Sequence, residues 1–338
     1  MINFSVGYQF CKDSRWIDSI IHFRERIHEV FFSIVGVPNG RTGIPLFAGK
    51  FSLEEQKEKL HLDLTKLNDA GLKFNILYNA SCYGKDGQSS VFFDNVVKEV
   101  EYYRTHFNLE SVTTTSPFIA EVIKRNFPTL LTRASINMGI SSILAMDYVS
   151  NVFDGFYLKQ EHNRNISLIR KVKKWCDENG KQLFMLANSG CLNDCAIHFF
   201  HNNLAAHSDE ISNVDKRYPI RGCRDYLSRP GKMFSIVRDG NWIRPEDLHL
   251  YDGLFTSVKL ATRINKCPEK ILEAYINGHY SGSIMDLMEP DHSYVMTGKI
   301  LDNNLFPQDF GEHTGFCSKN CDACSYCKTV FEQAIKTK

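Results

Sequence analysis

Three features of this 338-residue sequence predict an α/β chain folded as a TIM (β/α)8 barrel, with a long insertion after strand seven and a Cys-rich C-terminal tail. First, short β-rich runs alternate with amphipathic helical patterns as far as residue 260. Strand then helix, repeated eight times over about 250 residues, is the spacing of a closed parallel barrel rather than an open doubly wound sheet. Second, the repeat breaks once, between Asn188 and Asp252, where the connection far exceeds the ~2–6 residues of an ordinary βα loop. Third, Cys317, Cys321, Cys324 and Cys327 crowd into the tail.

The predicted strands, in order, are 3–8 (NFSVGY), 29–35 (EVFFSIV), 73–79 (KFNILYN), 111–115 (SVTTT), 130–135 (LLTRAS), 155–159 (GFYLK), 183–188 (LFMLAN) and 254–260 (LFTSVKL). Between them lie helix signatures such as SLEEQKEKLHLDLTKLNDAG, which opens on a Ser and ends at a Gly, as helix caps prefer. A second is NISLIRKVKKWCDENG. The CPEKILEAYINGHY helix closes the barrel after strand eight. The expected domains are a barrel over 1–285, carrying the Cys-bearing insertion at 188–252, and a Cys-rich extension over 286–338.

Hydrophobic residues make up 43% and charged residues 23% of the chain, an ordinary balance for a globular protein. No run approaches the ~18 consecutive apolar residues that span a bilayer, so no membrane partner is expected. The start MINFSVGYQF lacks the marks of a secretory signal, which points to the cytoplasm. A net charge of +1 gives no strong nucleic-acid footprint, and RKVKKW (Arg170 to Trp175) reads as a solvated helix face. Eleven cysteines, an odd number without an export signal, argue for reduced thiols rather than a disulfide framework.

Active sites of TIM barrels lie at the carboxyl ends of the strands. The residues there include Asn39 and Arg41, Asn79 and Cys82, Thr115 and Ser116, Ser135 and Asn137, Glu161 with Asn163 and Asn165, Asn188 with Cys191, and Lys259 with Arg263. In SGCLNDCA, Cys191 and Cys195 sit among small and polar residues, a setting for metal ligands more than for buried apolar thiols. Cys223 can fold back from the same insertion as a third ligand, and three thiolates suit zinc or an iron–sulfur cluster. The tail spacing CxxxCxxCxxC in CSKNCDACSYC resembles the close wrapping of a 4Fe–4S cluster more than the separated pairs of a zinc knuckle. Radical SAM enzymes also use CxxxCxxC, but after the first strand, where this chain has only Cys11.

The segment from about Ser111 to Tyr280 resembles the collagenase-like peptidase U32 family. The likeness is carried by VTTTSPFIAEVIKRNFP leading into LLTRAS, by FDGFYLKQEHNRNISLIRKV, by the cysteines after strand seven, and by IRPEDL and FTSVKLATR before EAYINGHY. It implies a TIM barrel, and for several members a 4Fe–4S cluster held by cysteines in the corresponding insertion. The best-understood ones support oxygen-independent hydroxylation of ubiquinone precursors or RNA bases. By position it implies Cys191, Cys195 and Cys223 as cluster ligands, with Lys259 and Arg263 where the family has its Lys and Arg.

The expected function is therefore an iron–sulfur enzyme performing an oxygen-independent hydroxylation or related redox change on a small-molecule or RNA-linked substrate. One cluster is expected, or two: Cys82 or a tail cysteine completes the first, or Cys317, Cys321, Cys324 and Cys327 hold a second. Glu161 and Lys259 are the acid/base candidates, and Arg263 or Arg41 would bind an anionic group. Two alternatives remain: an accessory protein stabilised by structural zinc that binds a protein partner, and a metal-dependent peptidase. The sequence contains no Ser–His–Asp set and no HExxH.

Overall fold

A computed structural model of the chain describes residues 1–10, 13–40, 51–85, 87–207 and 222–337. Eight parallel strands close a barrel in sequence order. They are β1 (Phe4–Gly7), β2 (Ile27–Phe32), β3 (Phe74–Tyr78), β4 (Leu109–Thr114), β5 (Leu131–Ala134), β6 (Gly155–Tyr157), β7 (Gln182–Leu186) and β8 (Ser257–Leu260), with β1 pairing back to β8 through Phe4–Val258 and Val6–Leu260. Every predicted strand is present, each within a few residues of its expected bounds. The helices between them are α1 (Arg15–His22), α2 (Leu53–Asp69), α3 (Ser90–His106), α4 (Pro117–Asn126), α5 (Ile143–Asp147) and α6 (Ile166–Glu178). The Ser that opens α2 is its N-cap: Ser52 Oγ accepts from the Glu55 amide while the Glu55 carboxylate accepts from the Ser52 amide. Two lysines of the basic run on α6 form ion pairs one turn apart, Lys173 with Asp177 and Lys174 with Glu178. Among the described residues no helix is long and apolar enough to cross a membrane.

Strand alternation divides the buried residues into two sets. Outward-facing Val6, Val30, Phe32, Ile76, Val112, Phe156, Met185 and Val258 join the large apolar cluster between sheet and helices. The inward set is polar through the middle of the barrel. Glu29 is fully buried and accepts from Ser5 Oγ (3.1 Å), Asn75 Nδ2 (3.0 Å), Ser111 Oγ (3.3 Å) and the Arg133 guanidinium. Arg133 also lies over the Phe184 ring, 4.3 Å from its centroid. Burial pushes the Glu29 carboxyl up, but Arg133, His28 and the hydrogen bonds outweigh it and hold the group below its ordinary range.

After β7 the described part of the insertion forms α7 (His198–Ala206), α8 (Gly222–Leu227), α9 (Ser235–Arg238) and a 3-10 turn, Pro245–Tyr251. Beyond β8 come α10 (Pro268–Asn277), β9 (Lys299–Leu301), α11 (Phe310–Phe316), α12 (Tyr326–Ala334) and β10 (Ile335–Thr337), which pairs antiparallel with β9. The extension expected over 286–338 is not a free appendage. Helix α12 packs on α9, and α11 packs on α6 and the 3-10 turn. Trp242, fully buried, stacks on Phe310 and meets Phe306 edge-on, which joins insertion to tail.

Candidate active site at the barrel mouth

At the carboxyl ends of the strands two of the expected cations converge on one aromatic ring. Lys259, at the end of β8, is only 9% exposed and places its ammonium 3.8 Å from the Phe31 ring centroid and 5.1 Å from that of Tyr157. The Arg263 guanidinium lies 6.0 Å from the same Phe31 ring and donates to Ser33 Oγ at 2.9 Å and Asn39 Oδ1 at 3.4 Å. Gly7 makes room for Arg263 and the Phe31 ring: a Cβ there would stand 2.6 Å from Arg263 Cγ and 2.7 Å from the Phe31 ring. Two cations beside an aromatic ring have the chemistry to hold an anionic or carbonyl-bearing planar group. Arg41, the other expected anion binder, falls outside the described residues.

Several of the polar residues after the strands do structural work. Ser116, Ser135 and Asn165 cap the helices that follow them. Asn79 accepts from the Gly40 amide and Asn137 donates to the Asn79 carbonyl. Asn163 bridges the Leu186 and Asn241 carbonyls, both at 2.7 Å. Thr115 donates to the Ala80 carbonyl, and Cys82 accepts from the Gly84 amide at 3.4 Å.

Glu161 pairs with Lys159 on the β6 exit loop and is near the insertion thiols. Burial, with Cys223, Cys191 and Glu161 close by, holds the Cys195 thiol above its ordinary range. Among the described residues no three of the Cys191, Cys195, Cys223 and Glu161 ligand atoms lie within 4.8 Å of one another; as soft donors the three cysteines have the chemistry of a zinc or iron–sulfur ligand set.

The thiol loop is pinned from three directions. Ser189 donates to Gln160 at 2.7 Å, and Asn188 bridges the Ala261 and Leu287 carbonyls while accepting from the Ala261 amide. Leu192 bridges to Gly240, and Asn241 Nδ2 donates to the Cys191 carbonyl at 2.8 Å. Behind the loop, fully buried His292 contacts the Gly190 carbonyl through Nε2 and the Tyr294 hydroxyl through Nδ1, both at 2.7 Å. A carbonyl needs a donor, so Nε2 carries the proton of a neutral imidazole, which burial also favours. The Tyr294 hydroxyl in turn stands 3.5 Å from Cys223 Sγ.

Gly190 is required by close approach, since a Cβ would fall 2.0 Å from the Pro290 carbonyl oxygen. Gly190→Ala should therefore push the thiol loop off the 289–292 segment and destabilise the protein by about 1–3 kcal/mol, read as a shift in the urea midpoint at unchanged m-value. An unchanged midpoint would show that the loop is not held by this contact.

Phe31, Tyr157, Gln160, His292 and Tyr294 were not among the residues expected from the sequence. Phe31 sits in an apolar strand run, and DHSY (residues 291–294) lies about 100 residues from the loop it supports.

No family model matches the chain. It is 23% identical over 320 residues to an uncharacterized protease, MJ1657, of Methanocaldococcus jannaschii, covering 88% of each chain. Among solved structures it is similar to the U32 peptidase Mk0906, with a TM-score of 0.53, 14% identity, and coverage of 77% of this chain and 92% of that one. The structural likeness shows a shared barrel fold, and both findings agree with the U32 resemblance carried by the sequence.

Proposed function

We propose that this U32-like barrel is an iron–sulfur-dependent enzyme whose reaction takes place between Lys259, Arg263 and the thiol loop. The observation that supports the reading is the chain of contacts linking the Cys191 loop to Cys223: His292 meets the Gly190 carbonyl and the Tyr294 hydroxyl, and that hydroxyl stands 3.5 Å from Cys223 Sγ. Three soft sulfur donors select iron–sulfur or zinc over hard-ligand cations. A bound 4Fe–4S cluster would supply one-electron transfer. Arg263 and Lys259 would hold an anionic or carbonyl-bearing substrate over Phe31, and Glu161 would exchange protons with it, its charge set by Lys159. The reaction class that uses all these parts is an oxygen-independent hydroxylation or related redox change of a small-molecule or RNA-linked substrate.

Both relatives are named for proteolysis, which favours a second reading, a metal-dependent peptidase. Iron and acid-labile sulfide in anaerobically purified protein separate the two. The proposal expects both, with a brown colour, and expects Cys191→Ser, Cys195→Ser and Cys223→Ser each to lower the iron content. Zinc without sulfide, or iron unchanged in all three variants, would overturn it.

A further inference from the structure

The tail cysteines are carried by α11, α12 and the turn between them. Cys317 ends α11, Cys321 opens a 3-10 turn, Cys324 follows it, and Cys327 is in the first turn of α12. Helices α11 and α12 are held side by side by stacking of His313 on Tyr326, with ring centroids 3.6 Å apart. That stack ties the start of α12, where Cys327 lies, to α11, which Cys317 ends, with Cys321 and Cys324 on the short link between them.

Beside α11 lies a buried cation whose hydrogen bonds leave its charge unmatched. Arg164 is 7% exposed. It donates to the Val237 carbonyl at 2.6 Å and twice to the Trp242 carbonyl, at 3.0 and 2.9 Å, with its guanidinium 4.4 Å from the Trp242 ring centroid. No carboxylate forms an ion pair with it among the described residues. The nearby Asp247 is engaged bidentately by Arg244, with both contacts at 2.7 Å. A buried guanidinium satisfied only by main-chain carbonyls leaves a costly uncompensated charge. The Arg164 guanidinium also lies 5.3 Å from the Phe310 ring centroid, and Phe310 stacks in turn on Tyr326, the residue before Cys327. A second cation, Lys319, donates to the Thr314 carbonyl at 2.8 Å and lies beside Cys317. Arg238 near Cys321 is neutralised by Asp239.

We infer that Cys317, Cys321, Cys324 and Cys327 form a second iron–sulfur site, separate from the mouth, with Arg164 and Lys319 as its counter-charges. Four thiolates around a doubly positive core leave a net charge of minus two, which these two cations match. The CxxxCxxCxxC spacing of these four resembles the close wrapping of a 4Fe–4S cluster more than the separated pairs of a zinc knuckle. The inference does not rest on the reading of the mouth.

The test is iron and acid-labile sulfide per chain after anaerobic reconstitution of the full-length protein with ferrous iron and sulfide. Cys317 and Cys324 are exposed, so Cys317→Ser and Cys324→Ser leave the core packing intact. Each should lose about half of the wild-type iron and sulfide, while Cys191→Ser loses the other half. If the tail variants keep the wild-type content, or if the tail takes one zinc per chain without sulfide, the inference is overturned. Loss in Cys191→Ser alone would leave the mouth proposal standing and this one fallen; loss in the tail variants alone would do the reverse. Lys319→Gln keeps every thiol and should move the midpoint potential of one of the two centres to more negative values, because a cation favours the reduced, more negative cluster. An unchanged potential would remove Lys319 from the counter-charge.

Discussion

Arg133→Met should destabilise the barrel by about 3–5 kcal/mol, the cost of leaving one partner of a buried ion pair without the other. Both side chains of the Glu29–Arg133 pair are fully buried. The pH dependence should also change sign. In the wild type the Glu29 carboxyl is held below its ordinary range, so its contribution is present above the unfolded carboxyl pKa of about 4.3 and is lost as the pH falls through the lower folded value. Without Arg133, burial dominates and raises the carboxyl above its unfolded value. The variant's deficit should then be smallest at acid pH and grow as the pH rises through the raised folded value. Urea denaturation of both proteins between pH 4 and 8 checks this, and a deficit independent of pH would show that Glu29 does not govern it.

Trp242→Ala should cost a similar amount, about 3–5 kcal/mol, the usual price of removing a fully buried tryptophan. Its effect should concentrate in one region. The indole donates to the Ile236 carbonyl, stacks on Phe310 and lies under Arg164, so it joins the insertion, the tail and the buried guanidinium. Amide hydrogen exchange should accelerate across 310–334 and 235–242 well before the barrel strands are affected. Uniform acceleration throughout the chain would mean that the tail is not a separately opening unit.

The barrel was legible because its strands are apolar runs spaced by capped amphipathic helices, a local pattern. That Lys259 and Arg263 share the Phe31 ring follows from their places at the end of strand eight and just after it. The polar barrel interior was not legible. Strands as short as Leu131–Ala134 and Gly155–Tyr157 offer one or two inward positions, too few to display a period, so Arg133 reads as an interruption. Arg164 sits in QEHNRN, an ordinary polar loop, and its burial depends on chain arriving from residues 237–242 and 310. His292 and Tyr294 belong to the site only because the chain returns after closing the barrel. Non-local returns of this kind leave no periodic trace.

That return has a consequence for the order in which the protein is made. The Cys191 loop emerges with strand seven, yet the groups that hold it, Glu289 through the Asn188 and Gly190 backbone, His292 at the Gly190 carbonyl and Tyr294 beside Cys223, are synthesised about 100 residues later. During translation the three thiols therefore exist for a time without their back wall. The back wall of the mouth is completed only once residues 289–294 have been made and have folded onto the loop.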